Sequence, residues 1–382
     1  MEIYALPSVN LVGRGSVREI GREASRFGAG RALVVASAGE VGEAQAGLVA
    51  SILKEAGIDS VPFREVTPNP LEETVTRGRD LYLERGCDML AAVGGGSAID
   101  AAKGIGLLAS NGGSIADYEG SGRVKRPLPP FVAVATTAGT GSEVTQFAVI
   151  SDAGHSKRTL EDRHLVPSVS VNDPEMMLSM PPSLTAATGM DALTHAVEAL
   201  VSTGATPITD GKAWKAIQLI ARALPAAVRD GKNLDAREAM CQASFLAGVA
   251  FNNAGLGLVH ALSHPLGGHY GLPHGLCNAL LLPAVCRFNL TPDTAPRFAE
   301  AALALDAGHG WSSDRDNAEA ALKAIEGLRR EVGLGEGLKA HGVRREDFPA
   351  LAALALLEPV GRTNPRPFTK EDVIALYEES YW

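Results

Sequence analysis

Along the first half of the chain, short apolar runs alternate with longer stretches of helical period. The runs at 32–36, 89–93, 131–135 and 169–171 end in small or glycine-rich turns, and the helical patterns cover 44–56, 71–85 and 98–109. Buried strands alternating with helices predict an α/β domain with a parallel sheet, whose ligand sits at the strand carboxyl ends. The pattern changes at Met180-Pro181-Pro182-Ser183, where Pro interrupts a strand or helix and Ser183 is the expected N-cap of the next helix. Beyond it the chain reads as Ala/Leu-rich helix at 184–201, 208–224, 236–252, 296–305 and 318–331. The expected organisation is therefore an α/β domain over 1–178 and an all-helical domain over 179–382, with no repeat of fixed period.

Composition narrows the function class. The 382 residues are 46% hydrophobic and 21% charged, an ordinary globular balance that is long for one core. The net charge is -9 with no basic block, which argues against nucleic acid and anionic membrane surfaces as partners. Cys87, Cys241, Cys277 and Cys286 have neither metal-type spacing nor a disulfide framework, and read as buried thiols in a reducing compartment. The opening Met-Glu-Ile-Tyr-Ala-Leu-Pro lacks a signal-peptide pattern, and no apolar run reaches the roughly 18 residues of a membrane span. A cytoplasmic protein is expected.

Two turns in the first domain are suited to phosphate. The run at 89–93 leads into Gly94-Gly95-Gly96-Ser97-Ala98-Ile99-Asp100 and a helix carrying Lys103. A strand, a tight glycine turn and a helix N-terminus offer backbone N–H groups to an anion. This is not the G-x-G-x-x-G fingerprint, and alone it is more often a plain turn. The next run leads into Thr136-Thr137-Ala138-Gly139-Thr140-Gly141-Ser142-Glu143-Val144-Thr145, whose hydroxyls suit ribose or phosphate oxygens. Such a loop can also merely cap a helix, but two of them after two apolar strands favour a dinucleotide-binding domain.

The second domain carries a histidine cluster. Gly189-Met190-Asp191-Ala192-Leu193-Thr194-His195-Ala196-Val197-Glu198 puts Asp191 and His195 on one helix face; His260 and His264 repeat that spacing, and His269 and His274 lie further along. A lone His in such a helix is usually a satisfied core or surface group. Several beside a carboxylate in apolar surroundings need shared partners, which a divalent ion supplies. The set holds no thiolate; imidazole and carboxylate suit iron, zinc or related ions. Spacing leaves open which of His260, His264, His269 and His274 are ligands.

In these motifs the chain resembles the iron-containing, or group III, alcohol dehydrogenases, notably lactaldehyde:propanediol oxidoreductases and 1,3-propanediol dehydrogenases. The resemblance runs from near residue 5 to near residue 380 and rests on Gly94 to Asp100, Thr136 to Thr145, Gly189 to Glu198 and Gly257 through His274. It implies a dehydroquinate-synthase-like fold, with an N-terminal dinucleotide domain and a C-terminal helical metal domain. By the same resemblance Asp191, His195, His260 and His274 hold Fe2+, or Zn2+. His264 faces nicotinamide and substrate without ligating the metal and relays a proton, and His269 is structural or exposed. Asn69, Gly95, Gly96, Ser97, Asp100, Thr136, Thr137, Thr140, Thr145 and Lys157 are implied in binding NAD or NADP, and Phe147 and Phe251 in shaping the substrate pocket. The implied reaction moves hydride between nicotinamide and a small alcohol or diol whose oxygen the metal acidifies. A homo-oligomer, at least a dimer, is also implied.

NAD-preferring relatives carry an Asp at the end of the first strand, where Ser37-Ala38-Gly39 stands here. A carboxylate there would repel the NADP 2′-phosphate by roughly 4 kcal/mol for a pair 4 Å apart at an effective dielectric of about 20. Ser37 is accordingly expected to admit NADP, with a lean toward it; Glu40, three residues on, is the group that could restore NAD selectivity. The alternatives are a glycerol-dehydrogenase-like, maleylacetate-reductase-like or dehydroquinate-synthase-like member of the same superfamily, and, from another class, a metallohydrolase. The last leaves both glycine/hydroxyl loops without a purpose.

Overall fold

Alternate side chains of the first-half strands feed two different cores, so these strands are buried on both faces. The computed structural model describes residues 3–154 and 156–382, and the chain divides into two compact units, Met1–Ser179 and Met180–Trp382. In the first unit the strands are β1 (Val9–Val12), β2 (Arg31–Ser37), β3 (Asp59–Val66), β4 (Met89–Gly94), β5 (Gly120–Ser121), β6 (Phe131–Ala135), β7 (Phe147–Ser151), β8 (Lys157–Glu161) and β9 (Val169–Asn172). Its helices are α1 (Ile20–Ser25), α2 (Glu40–Glu55), α3 (Glu72–Glu84) and α4 (Gly96–Asn111).

Six strands form one sheet in the order β1-β9-β6-β4-β2-β3, all neighbours parallel. Leu33, Val35, Leu90, Ala92, Phe131 and Ala133 pack on one face with Ile99, Ile105 and Val75 from α4 and α3. The intervening Ala32, Val34, Met89, Ala91, Val93, Val132 and Val134 pack on the other with Ile20, Val49 and Leu53 from α1 and α2. That two-sided burial is what a parallel sheet with crossover helices requires. A second, small sheet has the order β5-β8-β7, with β7 and β8 antiparallel.

The second unit is helical: α5 (Pro182–Val201), α6 (Pro207–Arg229), α7 (Leu234–Ala254), α8 (Leu258–Tyr270), α9 (His274–Asn289), α10 (Ala295–Ala304), α11 (Asp314–Glu331), α12 (Phe348–Ala355) and α13 (Lys370–Glu379). The expected N-cap is corrected. Pro181 caps α5 and Pro182 is its first residue, so Ser183 lies inside the helix. Proline fits there because the first helical position has no intrahelical use for an N–H. α5 packs against α6, α7 and α9. Arg237 on α7, 1% exposed, ties down the start of α5 through Thr185 Oγ1 (2.8 Å) and the Met180 carbonyl (2.9 Å). Among the described residues no single helix is long and apolar enough to cross a membrane. All four cysteines are buried and none is joined in a disulfide.

Candidate functional site

In the first unit the strand order places a crevice. β3 lies outside β2, whereas β6, β9 and β1 continue beyond β4, so the winding reverses between β2 and β4. Ligands of open α/β sheets bind at the carboxyl ends of such a pair. β2 ends there at Ser37 and β4 at Gly94. A Cβ on Gly94 would come within 2.6 Å of Ala98 Cβ and 2.9 Å of Ser37 Oγ, so glycine alone lets the turn close under that hydroxyl. Gly95 is the N-cap of α4 and Gly96 its first residue. Cβ atoms on them would lie 3.2 Å from Thr137 and 3.0 Å from Thr140, which brings the glycine turn and the threonine loop against each other. Ser97 sits in the first turn of α4, and Thr136 N–H donates to the Gly94 carbonyl at 3.0 Å. Asn69, between two prolines, adopts φ +54°, a left-handed conformation that Asn tolerates better than most residues.

Lys103 anchors the threonine loop from α4. It is fully buried, and its Nζ donates to the carbonyls of Ser142 (2.7 Å), Thr145 (2.9 Å) and Phe147 (2.6 Å). Asp100, one turn earlier, accepts from Ser142 Oγ (2.5 Å) and Val149 N–H (3.0 Å). One Asp100 oxygen therefore holds the loop and the other holds β7 beyond it, and the Thr145 hydroxyl lies 3.3 Å from Lys103 Nζ, within the same anchor. Burial pulls Lys103 down to about 8 and pushes neighbouring Glu143, 2% exposed, up to about 7. Burial also raises the Asp100 carboxyl, against the charges of Lys103 and Lys157. Lys157 opens β8 opposite Ser151, and Phe147 opens β7.

The second unit gathers four of the expected residues. Asp191 and His195 come from α5, His260 from α8 and His274 from the first position of α9; one donor atom from each lies within 4.8 Å of the others. The Asp191 carboxylate oxygen Oδ1 is 3.7 Å from His195 Nε2, 3.9 Å from His260 Nε2 and 3.7 Å from His274 Nε2. Donors about 2.1 Å from one tetrahedral ion stand roughly 3.4 Å apart, so the set fits a divalent cation. Asp191, His195 and His260 are buried, while the His274 side chain keeps 29% exposure and opens the cluster to approach. Close helix approach needs glycine: a Cβ on Gly275 would fall 2.4 Å from the Ala187 carbonyl of α5.

Buried partners orient the imidazoles. Glu198, one helical turn past His195 and 3% exposed, accepts from Val259 N–H (2.7 Å) and pairs with His260 Nδ1 (2.5 Å). With the Nδ1 proton held by this carboxylate, His260 Nε2 carries the lone pair that faces the cluster, the usual support of a metal-ligating His. A Cβ on Gly257 would press to 2.9 Å from Glu198 Oε1, so the start of α8 must be glycine to accept this cap. Asn278, fully buried, donates from Nδ2 to Asp191 Oδ1 (2.7 Å) and lies 3.1 Å from His260 Nε2 and 3.2 Å from His274 Nε2. A polarised N–H thus meets the convergent lone pairs, which is the electrostatic demand a cation would meet. Phe251 is 5% exposed and stacks on His195 (centroids 4.3 Å), which in turn stacks on His260 (4.7 Å).

His264 stands beside the cluster but outside that donor group, its ring 5.5 Å from His274 and 6.3 Å from His260. Its Nδ1 pairs with Glu358 at 2.8 Å. His269 is half exposed, near Asp347. Glu198, Asn278, Lys103 and Glu358 were not singled out as site residues from the sequence. Glu198 sat inside a motif used there, three residues past a candidate ligand, and Lys103 was noted on the helix after the glycine turn; Asn278 and Glu358 gave no local signal.

Known proteins are similar to this chain in sequence and fold. The description "Iron-containing alcohol dehydrogenase" matches residues 7–174, and "Fe-containing alcohol dehydrogenase family, C-terminal" matches residues 185–381. The NAD-dependent methanol dehydrogenase of Bacillus methanolicus is 43% identical over 381 residues, covering 100% of both chains. The 1,3-propanediol dehydrogenase of Citrobacter freundii is 43% identical over 381 residues, covering 99% of this chain and 98% of that one. A crystal structure of a 1,3-propanediol oxidoreductase superposes with a TM-score of 0.97 at 42% identity, covering 100% of each chain. A parallel nucleotide-type sheet, a helical unit bearing an Asp/His cluster, and matches spanning both halves lead to one assignment: the chain belongs to the iron-containing alcohol dehydrogenase family, oxidoreductases that act on CH–OH groups.

Proposed function

We propose that this enzyme interconverts small primary alcohols or diols and their aldehydes, using a nicotinamide cofactor and one divalent metal, iron or alternatively zinc, held by Asp191, His195, His260 and His274. The observation that carries this reading is the convergence of those four donor atoms within 4.8 Å. When bound, the metal supplies Lewis acidity toward an alcohol oxygen and the nicotinamide supplies the hydride acceptor. The rest of the work belongs to the chain. Glu198 fixes the His260 tautomer, Phe251 supports the His195 ring, and His264 takes the proton from the alcohol oxygen and passes it to solvent. Phe251, stacked on His195 beside the donor cluster, is also a proposed wall of the substrate pocket. Phe147 is the proposed substrate-facing residue at the start of β7.

On the nucleotide side, Gly95, Gly96 and Ser97 offer the α4 N-terminus to the pyrophosphate, and Asn69, Thr136, Thr137, Thr140 and Lys157 contact the rest of the cofactor. Asp100 and Thr145 hold the threonine loop in shape. Ser37 ends β2 without a carboxylate, which supports use of NADP alongside NAD, with NADP favoured; Glu40, exposed at the start of α2, is the group that would favour NAD instead. The Bacillus methanolicus relative is named for NAD. A cytoplasmic homo-oligomer of at least two chains completes the reading. Absorbance at 340 nm with NAD or NADP and simple alcohols tests it, on enzyme stripped by chelator and then reloaded with Fe2+ or Zn2+. Metal-dependent reduction of either cofactor is expected; no alcohol-dependent signal after reloading with either ion overturns it.

A further inference from the structure

α8 carries two imidazoles one turn apart, and each has its Nδ1 on a carboxylate from a distant part of the chain. His260 pairs with Glu198, 62 residues away, at 2.5 Å; His264 pairs with Glu358, 94 residues away, at 2.8 Å. The first pair serves a residue of the donor cluster, and the second serves a residue outside it. We propose that Glu358 is a positioning residue for the alcohol–aldehyde reaction, holding the Nδ1 proton of His264 so that Nε2 presents a lone pair toward the reacting oxygen. This rests on the reading of His264 as the proton relay.

Glu358 is held in place for that task. It precedes Pro359, which confines its backbone to the extended region, and it sits at φ −69°, ψ 117° at the head of a single-turn segment, Pro359–Thr363. That segment runs alongside α8 and is fastened to the helix start. Thr363 Oγ1 donates to the Leu256 carbonyl at 2.5 Å, and Asn364 Oδ1 accepts from Leu258 N–H at 3.1 Å. Asn364 is itself locked to Asn289 by reciprocal amide bonds of 2.9 Å each. The space between segment and helix is small: a Cβ on Gly361 would come within 3.4 Å of Ala261 Cβ. The carboxylate therefore meets His264 from a fixed support. His264 is 7% exposed and the Glu358 side chain 19%, so water competes little for their bond.

In the oxidation direction the alcohol O–H proton would pass to His264 Nε2, and the imidazolium so formed would stay paired with Glu358; a bound nicotinamide would supply the acceptor for the C–H hydride. Without that carboxylate the ring is free to turn or to place its proton on Nε2, where it cannot accept another. The arrangement parallels the carboxylate that fixes the base in hydrolytic triads.

The test is a double-mutant cycle on metal-loaded enzyme with Glu358→Gln, Glu358→Asp, His264→Ala and Glu358→Gln/His264→Ala, reading kcat, both KM values, metal content and Tm. Glu358→Gln is expected to keep full metal and to lose at least about tenfold in kcat with KM changed less than about threefold, toward the lower end of general acid–base contributions. Glu358→Asp should recover part of the loss, and the double variant should be no slower than His264→Ala. Additive losses in the double variant, unchanged kcat in Glu358→Gln, or metal loss from it each overturn the proposal. If His264→Ala itself keeps native kcat, the relay reading has failed; if His264→Ala is slow while Glu358→Gln is not, only the positioning role has.

Discussion

Replacing Glu198 with Gln separates the metal-supporting role of a carboxylate from its packing. Glu198 receives two hydrogen bonds, from Val259 N–H at 2.7 Å and His260 Nδ1 at 2.5 Å, and is 3% exposed. Gln keeps the shape but has one acceptor and one donor end. If its oxygen caps Val259, its NH2 faces His260, and the ring relieves the donor–donor contact by moving its proton to Nε2. That nitrogen then has no lone pair for the cluster. Supporting residues of this kind are worth about 10–100-fold in metal affinity, or roughly 1.4–2.8 kcal/mol at about 1.4 kcal/mol per decade. Glu198→Ala goes further and leaves two buried donors unpaired, at about 1–3 kcal/mol each, so it should also lower Tm without metal. The assay is competition with a chromophoric chelator, alongside thermal unfolding with and without EDTA. A folded Glu198→Gln protein binding metal within twofold of native would refute the proposed tautomer control.

His260→Ala and His274→Ala should each lose bound metal and nearly all activity with the fold intact, whereas His269→Ala keeps both, read by elemental analysis and circular dichroism. Native enzyme should use NADP, and Ser37→Asp should shift kcat/KM toward NAD; a native enzyme at least about tenfold better with NAD and unmoved by the substitution, against a decade of about 1.4 kcal/mol, would show that the strand end does not set the choice. Glu143 is raised by burial to about 7 from its ordinary 4.5. The folded state therefore holds a proton the unfolded chain has released, and the Glu143 contribution to stability is present at low pH and fades as pH rises through about 7. Denaturant unfolding of native and Glu143→Gln proteins from pH 5 to 8 should show the difference between them growing in the variant's favour; a constant difference contradicts it.

The sequence made the central strands and most long helices legible because their residues are buried on a regular period. β3 escaped because Pro62, Arg64 and Glu65 interrupt it, and β8 because Lys157 and Arg158 open it. β1 is a four-residue edge strand. α8 and α9 carry Pro265 and Pro283 within them, which reads as a break. The donor residues were visible through local spacing and through resemblance to a family whose motifs are long. Their supports were not, since Glu198 meets His260 across 62 residues and Glu358 meets His264 across 94. No local period encodes a pairing between elements so far apart. Spacing did not separate the two roles of α8, since His260 and His264 share it; the resemblance did, and the structure puts His260 in the donor group and His264 beside it.

The most direct measurement is an anomalous-difference map from crystals of the iron-loaded protein, collected on both sides of the iron edge. One edge-dependent peak per chain is expected, within about 2.3 Å of Asp191, His195, His260 and His274, the range of such metal–ligand bonds, with His264 outside its coordination sphere and still paired to Glu358. A peak ligated by His264, or no ordered metal among these four residues in protein that carries iron and turns over, would contradict the proposed metal centre.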